Sequence, residues 1–587
     1  MTEHSERALH GWGFRDTQFI LHPDNSVELT GARYEICGTR MPDFMSFIEE
    51  SVGVKIDVSA QRSERAPAAP EPRRNEAFCA ALAAEFAASK YSADTRERLV
   101  HSHGQATADE VYAVLYESLP RVVDLVFYCT SEADAERITA LARAHDVCLI
   151  PYGGGTNVTG CLLPPTDTRM VVSVDMRGLN RVEWINPDNR QVCAQAGISG
   201  IALEEELRRH GFTTGHEPDS FEFSTLGGWI STNASGMKRN RYGAIENIVD
   251  SISVVTPNGL LQTLGQFPRQ SAGVQIKDVL FGSEGNFGLI TKAVLKIRPR
   301  PEVSAHQSLV FPDAQRGVAF LFELSSSTLL PASIRLVDNE QFRFGLALKP
   351  AAGRRARAKS ALQKLLLQRV KGIDPRRMVV ATIGMEGSRA EVTAQRRALA
   401  ALAARHRGFF AGSSNGKRGY NLTFAIAYIR DFLAKLNVLG ETLESTLPWD
   451  KIHSIVAAVQ AEARKFHEEN GLPGKPYVSY RITQLYGSGA CVYFTYGVYV
   501  KGLPNPGAIA SRAEDRLRRT IVKHGGAVSN HHGVGKFRSQ LLASVLPPMN
   551  AEMIRALKTT IDPQNVFGAQ NGVFLQGFGD TPAEAAS

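Results

Sequence analysis

No stretch of this 587-residue chain approaches 18 consecutive apolar residues, so no helix is expected to span a membrane. There is no C-x-x-C pair. The seven cysteines are scattered at 37, 79, 129, 148, 161, 193 and 491. An odd, dispersed set lying partly in apolar runs predicts reduced, buried thiols and an intracellular protein. The first residues, Met1-Thr-Glu-His-Ser-Glu-Arg7, carry no apolar signal region. The last, Ala-Glu-Ala-Ala-Ser587, are not a peroxisomal Ser-Lys-Leu ending. Zinc-finger spacing, an RNP signature and a strong helix-turn-helix are all missing, which argues against a nucleic-acid partner. The net charge of +8 fits a phosphorylated substrate or an anionic membrane surface better.

What is present begins at Cys148-Leu-Ile-Pro-Tyr-Gly-Gly-Gly-Thr-Asn-Val-Thr-Gly160. Its apolar opening reads as a buried strand, ended by Pro151. Gly153, Gly154 and Gly155 then let the backbone turn with its N–H groups aimed at one point. Such a nest holds a phosphate without a positive side chain, and Thr156 and Asn157 add side-chain hydrogen bonds. The spacing is neither G-x-G-x-x-G nor G-x-x-x-x-G-K-[ST], which excludes a Rossmann or P-loop reading. A strand over 122–128, a helix over 131–143 capped by Ser131 and this strand make one β-α-β unit ending at a phosphate site. Further strands are expected over 170–174 and 191–197, and a helix over 201–209. Upstream, 18–21 and 27–31 predict a hairpin turning at Pro23-Asp-Asn25, Met41 to Ile48 a helix start, and proline-rich 61–75 a linker or long surface loop. Three loops rich in small and hydroxyl residues follow the nest: 215–229, 231–236 and 282–291. One long ligand with a diphosphate and several polar edges, lying across all of them, explains the set most economically.

Pro151 to Thr156, the Gly227-Gly-Trp229 loop and Gly282-Ser-Glu-Gly-Asn-Phe-Gly288 resemble the FAD domain of the vanillyl-alcohol-oxidase flavoprotein superfamily. The resemblance implies an α+β fold. A vanillyl-alcohol-oxidase/PCMH-type FAD-binding domain would span 96–300, and an α+β cap domain over 301–530 would carry the substrate pocket. An N-terminal extension over 1–95 and a helical C-terminal segment over 531–587, packing back on the FAD domain, complete it. FAD would be non-covalent. Its implied contacts are Pro151, Tyr152, Gly153, Gly154, Gly155, Thr156 and Asn157 in the nest. In the second loop they are His216, Asp219, Ser220, Phe221, Glu222, Phe223, Ser224 and Thr225. Then come Thr232, Asn233, Ala234 and Ser235, and finally Glu284, Gly285, Asn286, Phe287, Gly288, Leu289 and Ile290.

More specific stretches are His10-Gly-Trp-Gly-Phe14, Val27 to Tyr34, Thr214 to Thr225, Pro331 to Asn339, Arg418 to Asp431, Tyr480-Arg-Ile-Thr-Gln484 and His531-His-Gly-Val-Gly-Lys536. Together, over about residues 8–573, they are similar to the alkyldihydroxyacetonephosphate synthases of ether-lipid synthesis. The resemblance implies a reaction without net redox. The acyloxy group of 1-acyl-dihydroxyacetone phosphate is replaced by a long-chain alcohol, giving alkyl-dihydroxyacetone phosphate and a fatty acid, with the flavin as a covalent electrophilic sink. It also implies a homodimer and, by family, a peroxisomal enzyme. Arg98 to Ala106 loosely fits an N-terminal-type peroxisomal signal but lies far inside the chain, so it is not taken as an address.

Arg481 lies in a strand-like run, and the matching family arginine binds the substrate phosphate, a task suited to a fixed fork of donors. Tyr493 matches the proposed proton acceptor. A phenol with a reference pKa of about 10 needs help at neutral pH, and His531 and His532 are the obvious helpers. The two histidines have no further ligands at supporting spacing, so no metal is expected. The family usually has three histidines here, and this chain has Asn530 in the first place. Arg335 matches an arginine needed for activity.

Two other readings stand beside this one. An FAD-dependent 2-hydroxy-acid dehydrogenase would bleach its flavin with a hydroxy acid and pass electrons to a dye. An idle flavin- or lipid-binding protein is the third, against which Arg481, Tyr493, His531 and His532 argue. The most charged run, Lys349 to Arg377, places Leu362, Leu365, Leu366 and Val370 on one helical face. It reads equally as a solvated helix or as a membrane-surface helix that helps take in lipid.

Overall fold

The computed structural model describes residues 7–8, 11–263, 267–351, 353, 369 and 372–580. The hairpin is present, with Phe19–Leu21 pairing antiparallel to Val27–Leu29, and the helix after it runs Phe44–Val52. The 61–75 stretch has no regular structure but is fastened down. Arg62 Nε donates to Asn437 Oδ1 at 2.7 Å, and Arg73 N to Asp124 Oδ1 at 2.8 Å.

The glycine nest ends the strand Cys148–Tyr152. That strand is parallel to Val171–Asp175, which is parallel on its other side to Leu125–Tyr128. The predicted β-α-β unit is therefore opened by an inserted strand. Its helix, Glu132–Ala144, is capped as expected: Ser131 accepts from Asp134 N. The first strand starts at Leu125 rather than at residue 122, because Asp124 turns its carboxylate to Val171 N (2.8 Å) and to Arg121. A second, antiparallel sheet holds Val249–Thr256, Leu289–Lys296 and Gln191–Gln195. All three expected loops are shorter than their sequence suggests, since one helix takes the end of the first and the start of the second. Gly227-Gly-Trp229 lies inside the helix Leu226–Thr232, N-capped by Thr225 and ended by Asn233 at φ 52°. Residues 289–291 already belong to a strand. Helix formation there follows the cap and the burial of Leu226, Trp229 and Ile230, which outweigh two glycines at about 1 kcal/mol each.

Downstream, seven antiparallel strands form one sheet, in the order Phe409–Gly412, Val303–Phe311, Val379–Gly387, Ser333–Val337, Tyr477–Leu485, Gly489–Tyr499 and Val438–Pro448. Side chains alternate between its faces. Ile334, Leu336, Tyr480, Ile482, Val492, Phe494 and Leu443 point into a core shared with the helices Ala314–Ser325, Arg389–Arg405, Ile452–Glu469 and Pro506–Lys523. Arg335, Arg481, Tyr493 and Glu444, one residue out of step, fall on the other face. The chain's end returns to the nest sheet: Leu149 N donates to Val566 O at 2.8 Å, and Lys558 Nζ to Asn286 O at 2.7 Å. Among the described residues no helix is long and apolar enough to cross a membrane. The basic helix expected over 349–377 lies for the most part outside the described residues. Arg98, Leu99, His101, His103 and Gln105, in the segment that loosely fits a peroxisomal signal, are all buried.

Candidate active site

Glycine at the nest is required by how closely two loops approach. A Cβ on Gly154 would sit 2.1 Å from the Phe223 carbonyl oxygen, and one on Gly153 would sit 2.4 Å from Thr225 Oγ1. Gly155 adopts φ 64°. The nest forms one wall of a cleft of about 1690 Å³, open mouth included. Pro151, Gly153, Gly154, Gly155, Thr156, Asn157, Asp219, Ser220, Ser224, Thr225, Thr232, Ala234, Ser235, Glu284 and Gly285 line it. Asn157 Nδ2 is buried there with no partner, a donor left for a ligand. A phosphate-holding backbone turn, small hydroxyl residues and a cleft of this length fit FAD.

The remaining predicted cofactor residues turn their side chains elsewhere. Tyr152 is buried against His101 at 4.2 Å. Glu222 accepts from Tyr34 Oη at 2.9 Å, and the Phe223 ring packs on Trp12 and Phe14. Phe221 packs beside the sheet core. Asn233 is a helix cap, Asn286 bonds Asn571, and Phe287 meets Phe574. Gly288, Leu289 and Ile290 enter the core sheet beside Val254 and Val255. His216 is buried behind the cleft with its ring 4.8 Å from Trp229 and both nitrogens unpartnered; burial pushes it down to about 3. The residues that line the cleft come in short consecutive runs where a loop passes along it, and the side chains between those runs pack into the protein behind.

At the far end of the same cleft, sheet register brings the reactive side chains together. Tyr493 stands opposite Arg481 on one neighbouring strand and opposite Glu444 on the other. The three make a row across one face. The Arg481 guanidinium carbon lies 4.2 Å over the Tyr493 ring, a cation–π contact. Asp219 links Arg481 (4.0 Å) with Arg335 (3.2 Å). Burial lowers Arg481 below its ordinary value, the Arg335 cation adds to this, and Arg481 Nη1 is buried without a partner. Two guanidiniums facing one half-exposed carboxylate leave net positive charge.

His531 and His532 lie over this row. Tyr493 Oη is 2.7 Å from His531 Nε2 and 3.0 Å from His532 Nε2. Burial lowers both imidazoles, against the pull of Glu444, so both are neutral bases at pH 7. Burial opposes ionisation of Glu444 too, but the charges around it, His532 and His531 when protonated and the Arg518 and Arg538 guanidiniums throughout, hold it well below the usual carboxylate range. Burial, followed by Asp219 and Cys491, raises the Tyr493 phenol well above its usual value. The buried phenol favours its protonated form, with two imidazole nitrogens within hydrogen-bond reach of its oxygen.

Three features escaped sequence reading. Glu444 anchors the histidine turn, accepting from Ser529 Oγ (2.6 Å) and His532 N (3.1 Å). Glu284, expected against cofactor, receives Val534 N and Gly535 N at 2.8 Å each and fastens that turn to the cleft. Ala106, Ile426, Ala427 and Thr442 join the cleft to an apolar cavity walled by Phe47, Ile48, Phe344, Leu433, Tyr477 and Tyr496. The apolar character of residues 422–433 was its one visible signal.

Two family models match. An FAD binding domain covers residues 123–265, and the C-terminal domain of FAD linked oxidases covers residues 300–571. The chain is 39% identical to the alkyldihydroxyacetonephosphate synthase of Caenorhabditis elegans, over 97% of this chain and 95% of that protein. A solved alkyldihydroxyacetonephosphate synthase structure superposes with a TM-score of 0.83 at 28% identity, covering 96% of this chain and 98% of the other. The mitochondrial D-lactate dehydrogenase of Arabidopsis thaliana is similar over much less: 28% identity across 38% of each chain.

Proposed function

The chain belongs to the alkyldihydroxyacetonephosphate synthase family, and on that premise we propose that it forms the ether bond of an alkyl-dihydroxyacetone phosphate. It is an FAD-dependent enzyme of ether-lipid synthesis, and the lactate-type dehydrogenases are distant relatives only. The acyloxy group of 1-acyl-dihydroxyacetone phosphate leaves as a fatty acid, and a long-chain alcohol takes its place with no net redox. The observation that carries the reading is the row of Arg481, Tyr493 and Glu444 beneath two neutral histidines, at the end of a cleft built for FAD.

FAD, when bound, supplies an electrophilic centre and electron sink beside the substrate C1. The protein does the rest. Arg481, with Arg335 behind Asp219, receives the substrate phosphate; the buried Nη1 then gains the acceptor it lacks. The Tyr493 phenol takes a C1 proton, acidified by the C2 ketone, as it passes its own proton to His531 Nε2. The same relay, run in reverse, leaves the phenol ready for the next step. The apolar cavity beyond Ile426 and Ala427 takes the alkyl chains. FAD stays non-covalent, since His216 is shut behind the cleft. The proposal includes a cofactor unit over 96–300, a cap over 301–530 and a homodimer, the last by family resemblance. Membrane-surface association through the basic run Lys349 to Arg377 is part of it too, and its support is the charge of that run.

Purified yellow protein, incubated with palmitoyl-dihydroxyacetone phosphate and hexadecanol, should yield ether product without any electron acceptor. No ether product, together with flavin bleaching by a 2-hydroxy acid, would hand the function to the dehydrogenase reading.

A further inference from the structure

Asn530 stands where the resembling synthases usually carry a histidine, and its hydrogen bonds have a single consistent direction. The direction is set by a backbone carbonyl, which can only accept. Gln484 Nε2 donates to Gly236 O at 3.4 Å, so Gln484 Oε1 faces the other way. That oxygen accepts from Ser235 Oγ (3.0 Å) and from Tyr486 Oη (3.0 Å). With its proton committed to Gln484, the Tyr486 oxygen is an acceptor for Asn530 Nδ2 at 2.8 Å, and Thr446 Oγ1 takes the second amide proton at 2.6 Å. The orientation of the Asn530 amide is thereby fixed. Its Oδ1 points at His531 Nδ1, 2.8 Å away. An amide oxygen can only accept, so the His531 proton sits on Nδ1 and Nε2 presents a lone pair to Tyr493 Oη.

Tyr493 has one proton and two candidate nitrogens, His531 Nε2 and His532 Nε2. His531 Nδ1 has a hydrogen-bond acceptor in Asn530 Oδ1, whereas His532 Nδ1 makes no hydrogen bond, its facing acceptor being Glu444 Oε1 at 3.5 Å. We propose that Asn530 is a positioning residue: by holding His531 in its Nδ1–H form it directs the Tyr493 proton to His531 and away from His532. This rests on the synthase reading for its catalytic consequence, though the tautomer itself does not. The chain of bonds also runs from Gly236, beside the cleft-lining Ser231, Thr232, Ala234 and Ser235, to the phenol, so that loop and the phenol are aligned by the same bonds. The charged and titratable groups facing His531 are Glu444, Asp219, Arg538 and Arg481, with His532, Tyr493 and His216 as uncharged neighbours. Asn530 adds direction without adding charge.

Two variants and one spectrum test this. Asn530→Leu keeps the volume and removes the acceptor. Ether formation should fall about a hundredfold in kcat, with KM and FAD content unchanged. Asn530→Asp keeps an acceptor at the same place, and the Thr446 hydroxyl, whose own proton no bond commits, can rotate to donate to its second oxygen. Even with the Glu444 carboxylate already on the residue 530 backbone, it should hold activity within about tenfold and move the acid limb of the pH profile upward, because a second adjacent carboxylate favours the imidazolium. A merely structural role would not move that limb. In wild-type enzyme labelled with ¹⁵N-histidine, and assigned by comparison with His531→Gln, His531 should show a protonated Nδ1. A protonated Nε2 there, or an unshifted acid limb in Asn530→Asp, would overturn the proposal. A wild-type protein that makes no ether would instead count against the synthase reading, leaving the tautomer result to stand alone.

Discussion

Tyr493 does not act alone in the proposed mechanism. Burial raises its phenol well above the usual value, and in the proposed relay a neutral His531, 2.7 Å away, takes its proton. Tyr493→Phe leaves the ring beneath Arg481 and removes the proton path. Ether formation should drop by about 10²–10⁴-fold with FAD content unchanged, read by product assay and flavin absorbance. The acid limb follows with a definite sign. Burial sets the folded value of His531 below its ordinary 6.5. The base is therefore still neutral as pH falls through 6.5, and kcat/KM should decline only below it. A half-maximal point above 6.5 would show that another group carries the proton. These residues were legible as a pattern: Ala490-Cys-Val-Tyr-Phe494 and His531-His532 are visible in any reading of the chain. Glu444 was not. It is one acid in a strand of mixed character, and only the register that sets it opposite Tyr493 reveals its place.

The element that fixes the cofactor end is the turn after Cys148–Tyr152. Its backbone passes so close to residues 223–225 that a methyl group has nowhere to go. Gly154→Ala should yield folded, colourless protein, with the flavin band lost and the far-ultraviolet spectrum retained. A normally yellow variant would show that the nest does not hold the diphosphate. This turn and the capped helix after Ser131 could be read from sequence because their signals are local: apolar run, proline, glycines, N-cap. The helix Leu226–Thr232 could not. Its glycines and hydroxyls look like a loop until the partners of Trp229 and Ile230 are known. The inserted strand Val171–Asp175 was missed as a neighbour for a related reason, since strand order is a non-local property.

Across the whole molecule the sheets meet at one cleft, and the core around it buries several carboxyls as neutral acids. Glu110 is the clearest. Burial pushes it up to about 8, against hydrogen bonds from Gly104 N and Thr107. Its folded value lies above its unfolded one. The stability this contributes is therefore fully present below about 4.5 and is lost as pH rises through about 8. Glu110→Gln removes that loss, so its Tm advantage over the wild type should grow by a few degrees from pH 6 to pH 9. A constant difference would show that Glu110 does not titrate in this range. The central claim concerns the cleft itself: that the relay of Tyr493 and His531 removes a proton from the substrate C1. The measurement that reaches it most directly is turnover in deuterated water with mass analysis of the ether product. One deuterium at C1 in the product, absent when Tyr493→Phe is incubated with substrate, is the predicted result. Product carrying both of its original C1 hydrogens would contradict the account.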